Sequence, residues 1–147
     1  MGVFSAMNVG CDGLRVHGRR LDINSRNIAN IDTPNYVRKI PLVVATDRTS
    51  FLSVMNEMKE SVFGSGALPY SSGSVAMAGI VQDPTLGEKI YKPGHPDADE
   101  NGYIRASNVD PLVEMTDAIM AQRAYEASLA IITTSKAMAE RAANIGQ

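Results

Sequence analysis

The sequence predicts a mainly α-helical protein with a small β-rich insertion, its two long terminal helices packed as an antiparallel, coiled-coil-like pair. Three observations carry that reading. An apolar residue recurs every seven positions near the N-terminus, at Met7, Leu14, Leu21 and Ile28. A second run, from Leu112 to Ile145, holds neither proline nor glycine. Between them lies a stretch of short β-patterned segments and turn residues. The chain therefore divides into an N-terminal helix (1–35), a β- and loop-rich middle (36–107) and a C-terminal helix (108–147).

The first helix is expected from Val3 to about Ile31. Beside its large apolar stripe runs a stripe of mostly small residues, Phe4, Cys11, Gly18 and Ser25, which would let a partner helix approach closely. Thr33 precedes Pro34 and is pushed out of the α region, so Asp32-Thr33-Pro34-Asn35 ends the helix.

The middle offers an apolar run from Ile40 to Ala45 and a helical spacing at Phe51, Met55, Met58 and Val62. A Gly/Ser/Pro-rich loop is expected from Gly64 to Gly73. Strand signals follow at Val75, Met77 and Val81, at Glu88 to Lys92 and at Tyr103 to Arg105, with a turn-rich Pro93 to Gly102 among them.

The second helix starts with Asp110 as N-cap and Pro111 as first helical residue, with Glu114 in its first turn. It holds nine alanines and would be roughly 50 Å long. A compact chain of this length has a diameter of roughly 38 Å, so the helix outruns its own globule. Its apolar residues spread around its girth: Leu112, Ile119, Met120, Ile131 and Met138 lie on a broad face, and Met115, Leu129 and Ile132 point elsewhere. One N-terminal helix cannot cover all of this, so further chains are implied.

Composition narrows function. With 147 residues, 44 % hydrophobic and 20 % charged, the chain is neither disordered nor membrane-spanning in bulk. A net charge of −2 argues against nucleic-acid binding. Cys11 stands alone, which excludes an intrachain disulfide and a cysteine zinc cluster; it reads as a small buried apolar residue. No secretory signal is visible in residues 1–30, so the location expected from the residues alone is cytoplasmic, unless export uses a route without such a signal.

No catalytic, cofactor-binding or metal constellation stands out. His95, Asp97 and Asp99 share one loop and could in principle serve a small metal- or ligand-binding enzyme. Neighbouring ligands around a proline read better as a turn, because metal shells converge from separate elements. His17 reads as a polar interface residue. Arg15, Arg19, Arg20 and Arg26 are interleaved with Asp12 and Asp22 and read as a solvated or ion-paired face.

Asn27-Ile28-Ala29-Asn30-Ile31-Asp32-Thr33-Pro34-Asn35-Tyr36 resembles the N-terminal signature of bacterial flagellar rod and hook proteins, Asn-Leu-Ala-Asn-x-x-Thr-Pro-Gly-Tyr. Tyr91 to Asp99, with Gly94-His95-Pro96 at its centre, Gly102-Tyr103, Asn108-Val109-Asp110, Glu114-Met115, Arg123, Tyr125, Lys136 and Met138 resemble the proximal rod members. The likeness covers about residues 1–40 and 88–147. It implies a structural subunit with no enzymatic activity and no cofactor. The terminal helices of such subunits pair into an inner domain that stacks helically around the export channel, and the rod passes torque to the hook. It also implies export by the flagellar type III apparatus, without a cleaved signal, to the periplasmic basal body. The implied partners are further copies, other rod proteins and the base of the export apparatus. Asn35 stands where the family has glycine, and asparagine is the residue that best replaces glycine at positive φ.

Overall fold

A computed structural model describes residues 3–47 and 73–145. Helix α1 spans Val3–Ala29 and helix α2 spans Pro111–Ile145. Strands β1 (Lys39–Asp47) and β2 (Gly73–Gln82) form one antiparallel pair, and β3 (Lys89–Tyr91) and β4 (Tyr103–Arg105) another. The protein is mainly helical with a small β part. The expected helix at 51–62 and the loop at 64–72 lie outside the described residues; Gly73, placed in that loop by the sequence, begins β2.

Helix α1 ends where its asparagines and proline dictate. The Asn30 side-chain amide donates to the Arg26 carbonyl at 2.7 Å, covering an acceptor the helix leaves open. Thr33 hydroxyl donates to Asn30 Oδ1 at 3.3 Å. Asn35 takes a φ of 61° and donates its N–H to the Arg105 carbonyl at 2.9 Å, tying the turn to β4. Helix α2 starts as expected: Asp110 Oδ1 accepts the Leu112 N–H at 2.8 Å.

The helices run antiparallel, since contacts pair Gly10 with Ile132, Gly13 with Ser128, Gly18 with Tyr125 and Asn27 with Glu114. The approach is close. A Cβ on Gly10 would lie 2.7 Å from Ile132 Cγ1, and one on Gly13 would lie 2.6 Å from Ser128 Oγ. Small residues do admit the partner helix, as the sequence suggested, but two of them are not the ones expected. Cys11 and Ser25 are exposed, and Gly10 and Gly13 take that place. The reading of Cys11 as buried is thereby corrected. The position lies one step of about 100° around the helix from Gly10, which turns it away from α2.

The buried apolar set is small: Val16, Ile23, Ile104, Val109 and Ala121. Val16 belongs to the face of α1 that borders β2, where Ser74 donates to Asp12 at 2.5 Å. Pro41 lies in β1 opposite Ile80. A two-stranded pair tolerates the lost donor there, because each strand keeps an open side. A bulge between Leu42 and Val43 shifts the register against β2.

Candidate functional site

Two features carry functional content: a buried polar joint at one end of the helix pair, and the outward faces of α2.

The joint is built from motif residues. Asn27 is fully buried. Its amide donates to the Lys39 carbonyl at 2.8 Å and to Glu114 Oε2 at 3.0 Å, while its oxygen accepts from the Tyr36 hydroxyl and the Lys39 N–H, both at 3.0 Å. All four capacities of one side chain are met. Glu114, 1 % exposed, receives Arg38 Nε at 2.6 Å. Arg38 also faces Asp83 at 3.7 Å and Asp117 at 3.6 Å. Asn108 closes the ring: its oxygen accepts the Arg38 N–H at 2.6 Å and its amide donates to the Thr85 carbonyl at 2.8 Å. One network thus fixes the end of α1, the start of β1, the 83–85 turn and the start of α2.

Electrostatics follow the geometry. Burial works to lower the Arg38 guanidinium, but the hydrogen bond and charge of Glu114, then Asp117 and Asp83, hold it above its ordinary value. The hydrogen bonds from Thr85 backbone and hydroxyl hold the Asp83 carboxyl below its ordinary value, with help from Arg38. Burial, then the charge of Glu114, pushes the Tyr36 phenol up, in keeping with its role as a donor.

The second feature reverses the usual arrangement. The buried row of α2 recurs every seven residues as Glu114, Ala121, Ser128 and Ser135, all small or polar. The large apolar side chains look outward: Leu112 is 73 % exposed, Met115 55 %, Ile119 54 %, Met120 59 % and Met138 58 %, with Val113, Leu129 and Ile131 also exposed.

The residues named from sequence fall into two groups. Leu112, Ile119, Met120, Ile131 and Met138 are all on exposed surface. Met7, Leu14, Leu21 and Ile28 are half-buried and flank the row Gly10, Gly13, Asn24 and Asn27, which is buried. Asn27, Tyr36 and Asn108 meet in the joint, with Asn30, Thr33 and Asn35 shaping the turn beside it. Pro34 is half-buried in that turn, Val109 is buried, and Asp110 caps α2. Gly94, His95 and Pro96 lie apart in the β3–β4 loop. There His95 Nδ1 accepts the Asp97 N–H at 3.2 Å, and Asp99 Oδ1 accepts from Asn101 and Tyr103 N–H groups at 2.9 and 2.8 Å. Those acceptors are spent on shaping the turn. Among the described residues no group of three His, Cys, Asp or Glu side chains is arranged to hold a metal, and no helix is long and apolar enough to cross a membrane.

Sequence reasoning missed Arg38, the cation at the centre of the joint. Its signal was faint: an arginine two residues after the motif tyrosine, with its carboxylates 45, 76 and 79 positions away.

Residues 100–145 match the family model described as the C-terminal part of flagellar basal body rod FlgEFG proteins. Across its whole length the chain is 32 % identical to the flagellar basal-body rod protein FlgC of Bacillus subtilis (strain 168), with all of both chains covered. The chain belongs to the FlgC family of flagellar basal-body rod proteins. It is also 36 % identical to FlgC of Borreliella burgdorferi, over 94 % of this chain and 93 % of that one, and 28 % identical over both full lengths to FlgC of Salmonella typhimurium. As a family member it is a structural component of the flagellar basal-body rod. In this chain the Asn27–Tyr36 motif has a physical role: Asn27 and Tyr36 supply four hydrogen bonds of the joint, and Asn30, Thr33 and Asn35 those of the turn leading into it.

Proposed function

We propose that the chain builds the proximal rod by stacking helically around the export channel and so passes torque toward the hook. In this reading 1–35 and 108–147 form an inner, coiled-coil-like helical domain, and 36–107 forms a second domain fixed to it through the joint. The subunit leaves the cell body through the flagellar type III apparatus without a cleaved signal and joins the periplasmic basal body. Its neighbours are further copies, other rod proteins and the base of the export apparatus.

One observation carries the assembly reading. The intrachain seam of α2 buries small and polar residues, while its large apolar residues stay in water. An exposed apolar surface of this extent marks an interaction site. The test is the double substitution Met120→Ser with Ile131→Ser in cells that depend on this chain. The expected result is continued secretion of the subunit with no complete rods. Normal rods and normal swimming would contradict the reading.

A further inference from the structure

On the side of α1 away from its glycines lies a groove of about 720 Å³ between α1 and β2. Its floor is apolar, formed by Val16, Val75, Met77 and Ile80, and Arg15 and Arg19 stand at its rim, one helical turn apart. The groove's own polar wall is satisfied: Asp12 accepts from Ser74 and pairs with Arg15 at 3.6 Å. Arg15 nevertheless keeps 80 % of its side chain exposed, and Arg19 has no ion-pair partner among the described residues.

A complementary surface exists on the same chain. Leu112, Met115, Ile119, Gln122, Glu126 and Leu129 follow one another at alternating spacings of three and four, so they form one stripe along α2; the helical geometry thereby corrects the reading of Met115 and Leu129 as pointing away from Leu112 and Ile119. The four apolar members are exposed. Glu126 accepts from Gln122 Nε2 at 3.1 Å but pairs with no cation among the described residues, whereas Glu114 and Asp117 face Arg38 and Glu140 faces Lys136 at 3.9 Å. The stripe thus offers aliphatic side chains and one carboxylate free for a cation.

We infer that the groove receives this α2 stripe from a second copy of the chain, with Glu126 entering between Arg15 and Arg19. This rests on the assembly reading above. Apolar side chains then cover the groove floor, and the rim arginines fix the register by charge. Groove and stripe are different surfaces, so the contact is heterologous and repeats from copy to copy, as a rod requires.

Gly79 gives a clean probe. It lines the groove, and a Cβ built there meets nothing within 4 Å. Because the first side-chain atom there is unobstructed, Gly79→Met should fill the groove with the fold intact. The purified variant should keep its unfolding midpoint and be secreted, yet form no rods. Arg19→Glu and Glu126→Arg should each lower the yield of rods about tenfold, the effect expected of one like-charge contact. Together they should restore most of it. In a Cys11→Ser background, cells making one copy with Arg19→Cys and another with Glu126→Cys should give a disulfide dimer of this chain. Normal rods with Gly79→Met, no rescue by the double charge reversal, or a disulfide only to a protein of another mass would each overturn the inference. If Met120→Ser with Ile131→Ser abolishes rods while Gly79→Met does not, the groove contact falls and the assembly reading stands. If neither changes the rods, both fall.

Discussion

The inward and outward faces of α2 differ in a way that inverts the ordinary globular pattern. Inward, toward α1, the helix buries Glu114, Ala121, Ser128 and Ser135; outward it exposes Leu112, Met115, Ile119, Met120 and Met138. The inward face gains its stability from close backbone approach at Gly10 and Gly13 and from one well-satisfied polar joint. The outward face holds most of the apolar area available for burial. Hydrophobic burial is the largest favourable term in association, so a chain that leaves its large side chains outside keeps that term for its neighbours.

Five substitutions test the inward side of this contrast, the seam, the joint and the turns beside it, from the largest expected effect to the smallest. Glu114→Ala leaves the fully buried Asn27 amide and the part-buried Arg38 guanidinium without their shared acceptor. Breaking a buried pair from one side costs about 3 kcal/mol, read as a lowered urea midpoint of the purified chain. An unchanged midpoint would remove the joint from the account. Gly10→Val places a branched side chain where Ile132 already stands, and the helices must part; overpacking of this kind costs about 2 kcal/mol by the same measurement. Should Gly10→Val be neutral, the close approach is not what holds the pair.

Asn35→Val forces a β-branched residue to a φ of 61° and should cost about 1 kcal/mol, whereas Asn35→Gly should be near neutral. Equal effects of the two would show that the left-handed turn carries no strain. The smallest effect is on pH dependence. The folded state holds the Asp83 carboxyl below its ordinary 3.8, so its contribution is complete above that value and is lost as pH falls below it. Asp83→Asn should flatten the acid limb of a midpoint-versus-pH curve below about pH 4 and leave its slope at pH 7 unaltered. A changed slope at neutral pH would point to a different titrating group.

Much of the fold was legible because it rests on local rules. The Asp110-Pro111 start of α2, the turn at Pro34 and the strand segments around Val43, Val75, Ile90 and Ile104 each follow from propensity and capping. The left-handed Asn35 was legible for the same reason. The seam was not. A heptad search rewards large apolar residues, and it found Met7, Leu14, Leu21 and Ile28. The row that meets α2 is made of glycine and asparagine, which carry no hydropathy signal. Arg38 was hidden by distance along the chain, since no local pattern relates it to Asp83, Glu114 and Asp117. The His95 loop was legible as a turn, and turns are what it forms. His95, Asp97 and Asp99 form a conspicuous cluster in sequence; His95 Nδ1 accepts the Asp97 N–H, and Asp99 Oδ1 accepts two backbone N–H groups of the same turn.

The central claim is that the outer face of α2 is open in the free subunit and closed in the rod. It is tested most directly by thiol labelling of Met120→Cys in a Cys11→Ser background, in the purified chain and again in isolated basal bodies. The account predicts rapid labelling of the free chain, where Met120 is 59 % exposed, and protection in basal bodies. Equal labelling in both would contradict it.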